Sequence, residues 1–184
     1  MVLGLFSRAK PQPSVDLVYG DIVAASRLPV LYRDYGVPDT VMGRFEVLGL
    51  HVALVLRRLK DLPPPADSLA QEVIDQFFAD LDSSLREIGI GDVSVPKKIK
   101  KLGQAFYGRA QAYDEALVAE AASDALERAL ARNVLDKPDE PALATALAQH
   151  VRSVIAHLAA ADMANFLTGK ALQSTFSVSQ TGNK

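Results

Sequence analysis

Apolar residues in this chain recur at steps of three and four, and the strict alternation that marks a half-buried strand is missing. Val15, Val18, Ile22 and Ala25 lie on one face of a first helix over about 15–26, with Ser14 as its N-cap. Pro29 opens a short second helix that Gly36 and Pro38 close. Asp39 or Thr40 caps a third helix to about Lys60, whose stripe is Val41, Phe45, Leu48, Val52, Leu56 and Leu59. Pro63, Pro64 and Pro65 then force a break. A fourth helix starts near Ser68 and Glu72, runs to about Glu87 and stops at Gly89 and Gly91. Pro96 suits the first turn of a fifth helix to about Ala119. Asp124 and Glu127 have capping-box spacing, which opens a sixth over about 124–134. After a loop at 136–141, Leu143, Leu147, Val151, Ile155 and Leu158 predict one last helix over about 140–167. The fold class is therefore all-α, a single-domain bundle of about six to seven helices with short loops over residues 14–169. Residues 1–13 are expected to be a flexible lead, and 170–184, rich in Ser, Thr, Gln, Gly and Asn, a disordered tail.

Composition narrows the function. The 184 residues are 49% hydrophobic, enough for one domain with a core. Twenty basic residues against 22 acidic ones give a net charge of −2, which argues against a dedicated nucleic-acid coat, and no DNA partner is expected, but it leaves room for a local basic patch. The absence of cysteine excludes disulfides, thiolate metal sites and cysteine nucleophiles. The longest apolar run, VLGLHVALVL at 47–56, is ten residues, about half of a membrane span. The N-terminal MVLGLFSRAK has its charge after its apolar residues, the reverse of a signal peptide. A membrane-surface contact through Leu3, Leu5 and Phe6 is the alternative to a loose tail there.

One stretch combines several chemistries: KKIKKLGQAFYGRAQAYDEAL, residues 97–117. Ile99, Leu102, Phe106, Tyr113 and Leu117 form an apolar helix face, with Lys97, Lys98, Lys100 and Lys101 flanking it. The lysines sit in the first turns, where the helix dipole disfavours cations by a few tenths of a kcal/mol each. They are compensated either by an external partner or by the acidic fourth helix, with Glu72, Asp75, Asp80, Asp82 and Glu87 against Arg86 alone. Gly103 and Gly108 each weaken a helix by roughly 1 kcal/mol relative to alanine, which calls for a close approach. Gly108 with Ala112 makes a notch that matches Gly49 with Ala53, so the third and fifth helices are expected to cross closely.

Catalytic signatures are missing: there is no phosphate-binding loop, dinucleotide fingerprint or nucleophile elbow. His150 and His157 share a helix face but stand about 10 Å apart along the axis, too far to chelate one metal alone. His51, inside an apolar run, reads as a hydrogen-bonded core residue. Arg109 beside Asp114 and Glu115 reads as ordinary helix-surface pairing. No cofactor, metal or catalytic residue is expected, and the chemistry describes a helical binding or scaffolding module.

The order and spacing of three motifs add an identity. Gly36-Val37-Pro38-Asp39-Thr40, Gly43-Arg44-Phe45, and Phe106-Tyr107-Gly108-Arg109 after the lysines resemble the ubiquinol–cytochrome c chaperone family over roughly residues 15–135. Without the long targeting extension of mitochondrial members, the chain looks bacterial. The resemblance implies a non-enzymatic assembly factor for ubiquinol–cytochrome c reductase that acts on newly made cytochrome b. It also implies a cytoplasmic location, with peripheral contact at the inner face of the membrane as a further option. Mitochondrial relatives work near the ribosome with a small helical partner, so a ribosome contact stays open. An apolar groove rimmed by charge would suit such a client. The candidate partner-binding residues are Arg44, Lys97, Lys98, Lys100, Lys101, Phe106, Tyr107, Arg109 and Tyr113, with Phe106 and Tyr113 equally readable as core. Of these, Tyr107 lies off the main stripe and is expected to point outward. The competing class is an RNA- or ribosome-binding adaptor that uses Lys97–Lys101.

Overall fold

The structure, a computed structural model, describes residues 13–119 and 124–172. The described residues form helices α1 (Pro13–Ser26), α2 (Pro29–Arg33), α3 (Val41–Lys60), α4 (Ala66–Glu87), α5 (Val95–Val118) and α6 (Ala125–Asn133). A 3-10 turn at Pro141–Ala144, α7 (Thr145–Ala160) and α8 (Met163–Leu167) complete them, and no strand is present among them. The all-α bundle expected from the periodicity is the fold observed.

Helix α3 is the centre. Its sequence suggests a single stripe, yet Val47, Leu50, His51, Val52, Leu54 and Val55 are all buried, so the middle of the helix is enclosed well beyond one face. It packs against α1, α4, α5 and α7. Val41, expected in the stripe, stands exposed at the first turn. Val15, Val18, Ile22 and Ala25 of α1 are buried as the pattern predicts. That helix starts at Pro13, so Ser14 lies within it rather than capping it.

The turn into α3 explains two of the motifs. Gly36 adopts φ +77°, a left-handed conformation that side chains oppose. Thr40 caps α3, its side-chain oxygen accepting from the Gly43 N–H at 3.0 Å. A Cβ on Gly43 would lie 2.0 Å from the Pro38 carbonyl oxygen, so only glycine fits. These residues build the entry to the central helix.

The C-terminal part departs from the expected single helix. Its first turn is 3-10, which leaves Leu143 exposed. The helix then breaks at Ala161, whose backbone is extended and whose carbonyl accepts two hydrogen bonds from Arg58, at 2.9 and 3.1 Å. Asp162 and Asn165 restart it as a reciprocal capping box, both bonds 2.9 Å. The carbonyl that a continuous helix would use internally is claimed by a side chain 103 positions away. Packing continues past the expected domain end, with Ala171 and Leu172 buried. The box expected at Asp124 is not formed; Asp124 pairs with Arg128, and Glu127 takes Arg152 of α7 at 2.9 Å. Ser123 and the N-terminal Leu3, Leu5 and Phe6 lie outside the described residues.

The core is one large cluster with a smaller one, Leu81, Leu85 and Val95, under the α4–α5 connection. Phe77 is the hub of an aromatic group, with ring centroids 5.7 Å from Phe45, 5.2 Å from Phe78 and 5.1 Å from Phe106. The glycines serve these rings. A Cβ on Gly49 would meet Phe106 at 3.5 Å, and one on Gly103 would meet Phe78 at 3.4 Å. Gly108 has open space around it. The anticipated notch of Gly108 against Gly49 is therefore replaced by phenylalanine rings seated on Gly49 and Gly103.

Candidate functional site

The principal concavity lies between the α1–α2 corner, the start of α3 and the second half of α4, with a volume of about 820 Å3. Its floor is Phe45, Leu48, Phe77, Leu81 and Leu85, which also belong to the core. Its lip carries apolar side chains left open to solvent: Val41 is 61% exposed, Met42 51% and Ile88 55%. Basic groups Arg27, Arg33 and Arg44 stand on the α1–α3 side, while Asp80 and Glu87 stand on α4. Arg44 is held by Asp39 at 2.7 Å, which keeps the Asp39 carboxyl below its ordinary range. Asp34 pairs Arg33 in the same way, so the apolar floor runs between an acidic wall and a wall of mixed charge, a shape that can accept an amphipathic helix.

Of the candidate residues taken from sequence, Arg44 lies in this groove. Phe106 and Tyr113 are buried core residues. Tyr107 does point outward, at 54% exposure, with its ring 5.3 Å from Phe106 and 6.4 Å from Phe78. Lys97, Lys98, Lys100 and Lys101 are exposed. None of them forms an ion pair among the described residues, so the anticipated pairing with α4 is not made. Three of the α4 acids are engaged along their own helix: Gln71 donates to Asp75, Gln76 to Asp80, and Arg86 to Asp82.

Arg109 is not the surface residue its neighbours suggested. It reaches Glu46 of α3 at 2.8 Å. Glu46 is only 8% exposed, and burial pushes its carboxyl up to about 7, with the nearby Arg109 guanidinium acting the other way. Glu46 and Arg109 line a small cavity between α3 and α5 together with Tyr113, whose phenol is raised by burial, with Glu46 adding to the effect. Asp114 instead takes Arg57 of α3 at 2.6 Å, and Glu115 accepts from Gln111. The α3–α5 contact is thus fixed by two ion pairs at different depths.

The histidines also meet. His51 is fully enclosed and its Nδ1 lies 2.8 Å from the Val47 carbonyl. A carbonyl only accepts, so Nδ1 carries the proton in the neutral ring. The His150 ring packs 5.8 Å from it and Tyr35 5.6 Å from His150. Burial lowers both histidines, His51 to about 4. No group of three or more metal-ligating side chains gathers among the described residues.

Sequence reasoning missed the groove lip and Glu46. A methionine and a valine opening α3, apolar where a first turn is usually polar, were the available signal for the lip. Glu46, a charge set directly against the longest apolar run of the chain, was the signal for the buried pair.

Fold and groove together describe an all-α bundle with an open apolar cleft. No helix among the described residues is long and apolar enough to cross a membrane. The sequence model of the ubiquinol-cytochrome C chaperone family matches residues 33–176, and the chain belongs to that family. The match runs through the C-terminal helices, beyond the motifs that suggested it. Over 92% of its length the chain is similar to the crystal structure of the Cbp3 homolog from Brucella abortus, covering 94% of that chain with a TM-score of 0.77 and 43% identity. It is also similar to the ubiquinol-cytochrome-c reductase complex assembly factor 1 of Xenopus laevis, 27% identical over 128 residues. That match takes in 69% of this chain and spans 63% of the length of the frog protein.

Proposed function

We propose that this protein is a non-enzymatic assembly factor that holds newly made cytochrome b before it enters ubiquinol–cytochrome c reductase, and that the groove receives an apolar helical segment of that client. The observation that carries this reading is the groove itself: apolar side chains held open to water on a lip flanked by charges of both signs. Its size suits the role. An α-helix about 10 Å across, half embedded, fills 820 Å3 over about 20 Å, roughly four turns. Membership in a family of chaperones for this complex supplies the class of client.

The experiment replaces Met42 and Ile88 together by aspartate in cells whose only copy is the variant. Both side chains are about half exposed, so thermal unfolding and helical content should stay near wild type. Cytochrome b should fail to co-purify, and its level and the reductase activity should fall several-fold. Normal cytochrome b level and activity, with a folded variant, would reject the groove as the client site.

A further inference from the structure

The groove leaves one exposed feature unused. Between positions 86 and 101 the chain carries five basic and two acidic residues, although the whole chain has a net charge of −2. Arg86 is committed to Asp82 and Asp92. The four lysines that remain lie in the first two turns of α5, Lys97, Lys100 and Lys101 on the side away from the inward-facing Val95, Ile99, Leu102 and Phe106 and Lys98 on the flank of that face. They are exposed and unpaired among the described residues. Directly before them Gly89, at φ +85°, and Gly91 turn the chain so that Val93 projects with 96% of its surface in water. Ile88, which opens the same connection, is more than half exposed. This corner therefore pairs apolar tips with a cluster of free cations.

We infer that the α4–α5 corner docks on an anionic phospholipid surface, with Val93 entering the headgroup layer and Lys97, Lys98, Lys100 and Lys101 meeting the lipid phosphates. Charge complementarity selects a polyanionic partner. The apolar tip decides between the two polyanions. Single-stranded nucleic acid is gripped by aromatic rings and arginines next to the basic groups. Here the exposed ring on α5, Tyr107, lies more than a turn past the last lysine and leans on Phe106 and Phe78. An aliphatic tip beside lysines instead matches the two requirements of an interfacial contact, apolar insertion and electrostatic attraction. Ile88 belongs both to this connection and to the groove lip, so docking would hold the groove mouth near the bilayer. The inference stands apart from the identity of the groove's occupant.

The test is co-sedimentation of the full chain with vesicles of phosphatidylcholine alone and with one third phosphatidylglycerol, at 50 and 500 mM salt. Binding should require the anionic lipid and weaken steeply with salt. Each lysine removed should cost roughly five-fold, so replacing all four by glutamine should reduce partitioning on the order of a hundredfold or more. Val93→Asp should reduce it several-fold while leaving all four lysines in place. Circular dichroism should be unchanged for both variants. Equal binding to both vesicle types, no binding to either, or full binding by the four-glutamine variant would overturn the inference. So would tighter binding to an oligouridylate than to the anionic vesicles, because the corner would then be an RNA surface.

Discussion

Replacing Glu46 by glutamine should make the protein relatively more stable at high pH, although the change breaks an ion pair. In the folded chain the carboxyl titrates near 7; its ordinary value, taken for the unfolded chain, is 4.5. Between those values the folded state holds the proton more tightly. The group's contribution is therefore fully present below about 4.5 and is lost as pH rises through 7. Each unit corresponds to about 1.4 kcal/mol. Integrated from pH 5 to pH 8, the shift makes wild type lose roughly 2 to 3 kcal/mol that Glu46→Gln does not lose. The physical cause is that taking the carboxylate out of water costs more than one arginine at 2.8 Å returns. The assay is urea unfolding of both proteins at pH 5 and pH 8. The quantity read is the change, between the two conditions, in the stability difference between the proteins, which cancels every other titrating group. If that difference is the same at both pH values, or moves in favour of wild type at pH 8, the Arg109 attraction outweighs desolvation and the reasoning fails.

Two other outcomes follow from the same structure. Gly43→Ala should destabilise by about 3 kcal/mol or more, because its Cβ meets a backbone oxygen that cannot retreat, whereas Gly108→Ala, in open space within α5, should stabilise by up to about 1 kcal/mol; thermal unfolding of the two variants checks the contrast. His51 has its folded value depressed to about 4 against an ordinary 6.5, so its contribution is present above 6.5 and is lost as pH falls through 4. His51→Asn keeps a donor for Val47, and relative to it wild type should lose about 2 kcal/mol between pH 7 and pH 5, read by the same unfolding assay. A constant difference between the two proteins would show that His51 is not desolvated as described.

Much of the architecture was legible in the sequence because local chemistry decides it. Apolar steps of three and four placed most of the helices, and prolines and glycines ended them. Thr40 is a cap by virtue of its own side chain and the Gly43 amide three residues on. The motifs that named the family resemblance are largely of this kind, which is why Gly36 and Gly43 can be accounted for without reference to any partner.

What the sequence could not decide are contacts between residues far apart along it. The break at Ala161 exists because Arg58 takes its carbonyl, and nothing near Ala161 announces an arginine. Arg109 has Asp114 and Glu115 within reach on its own helix, yet its partner is Glu46, 63 positions earlier and buried. Lys97, Lys98, Lys100 and Lys101 have an acidic helix beside them in sequence but pair with none of it. The groove is decided the same way: Met42 and Ile88 become neighbours of one cleft only when α3 and α4 pack. Helix periodicity reports which face a residue occupies. Which other face it meets, and whether a charge there is paired, buried or left free, is set by how the helices cross, and only the tertiary structure fixes that.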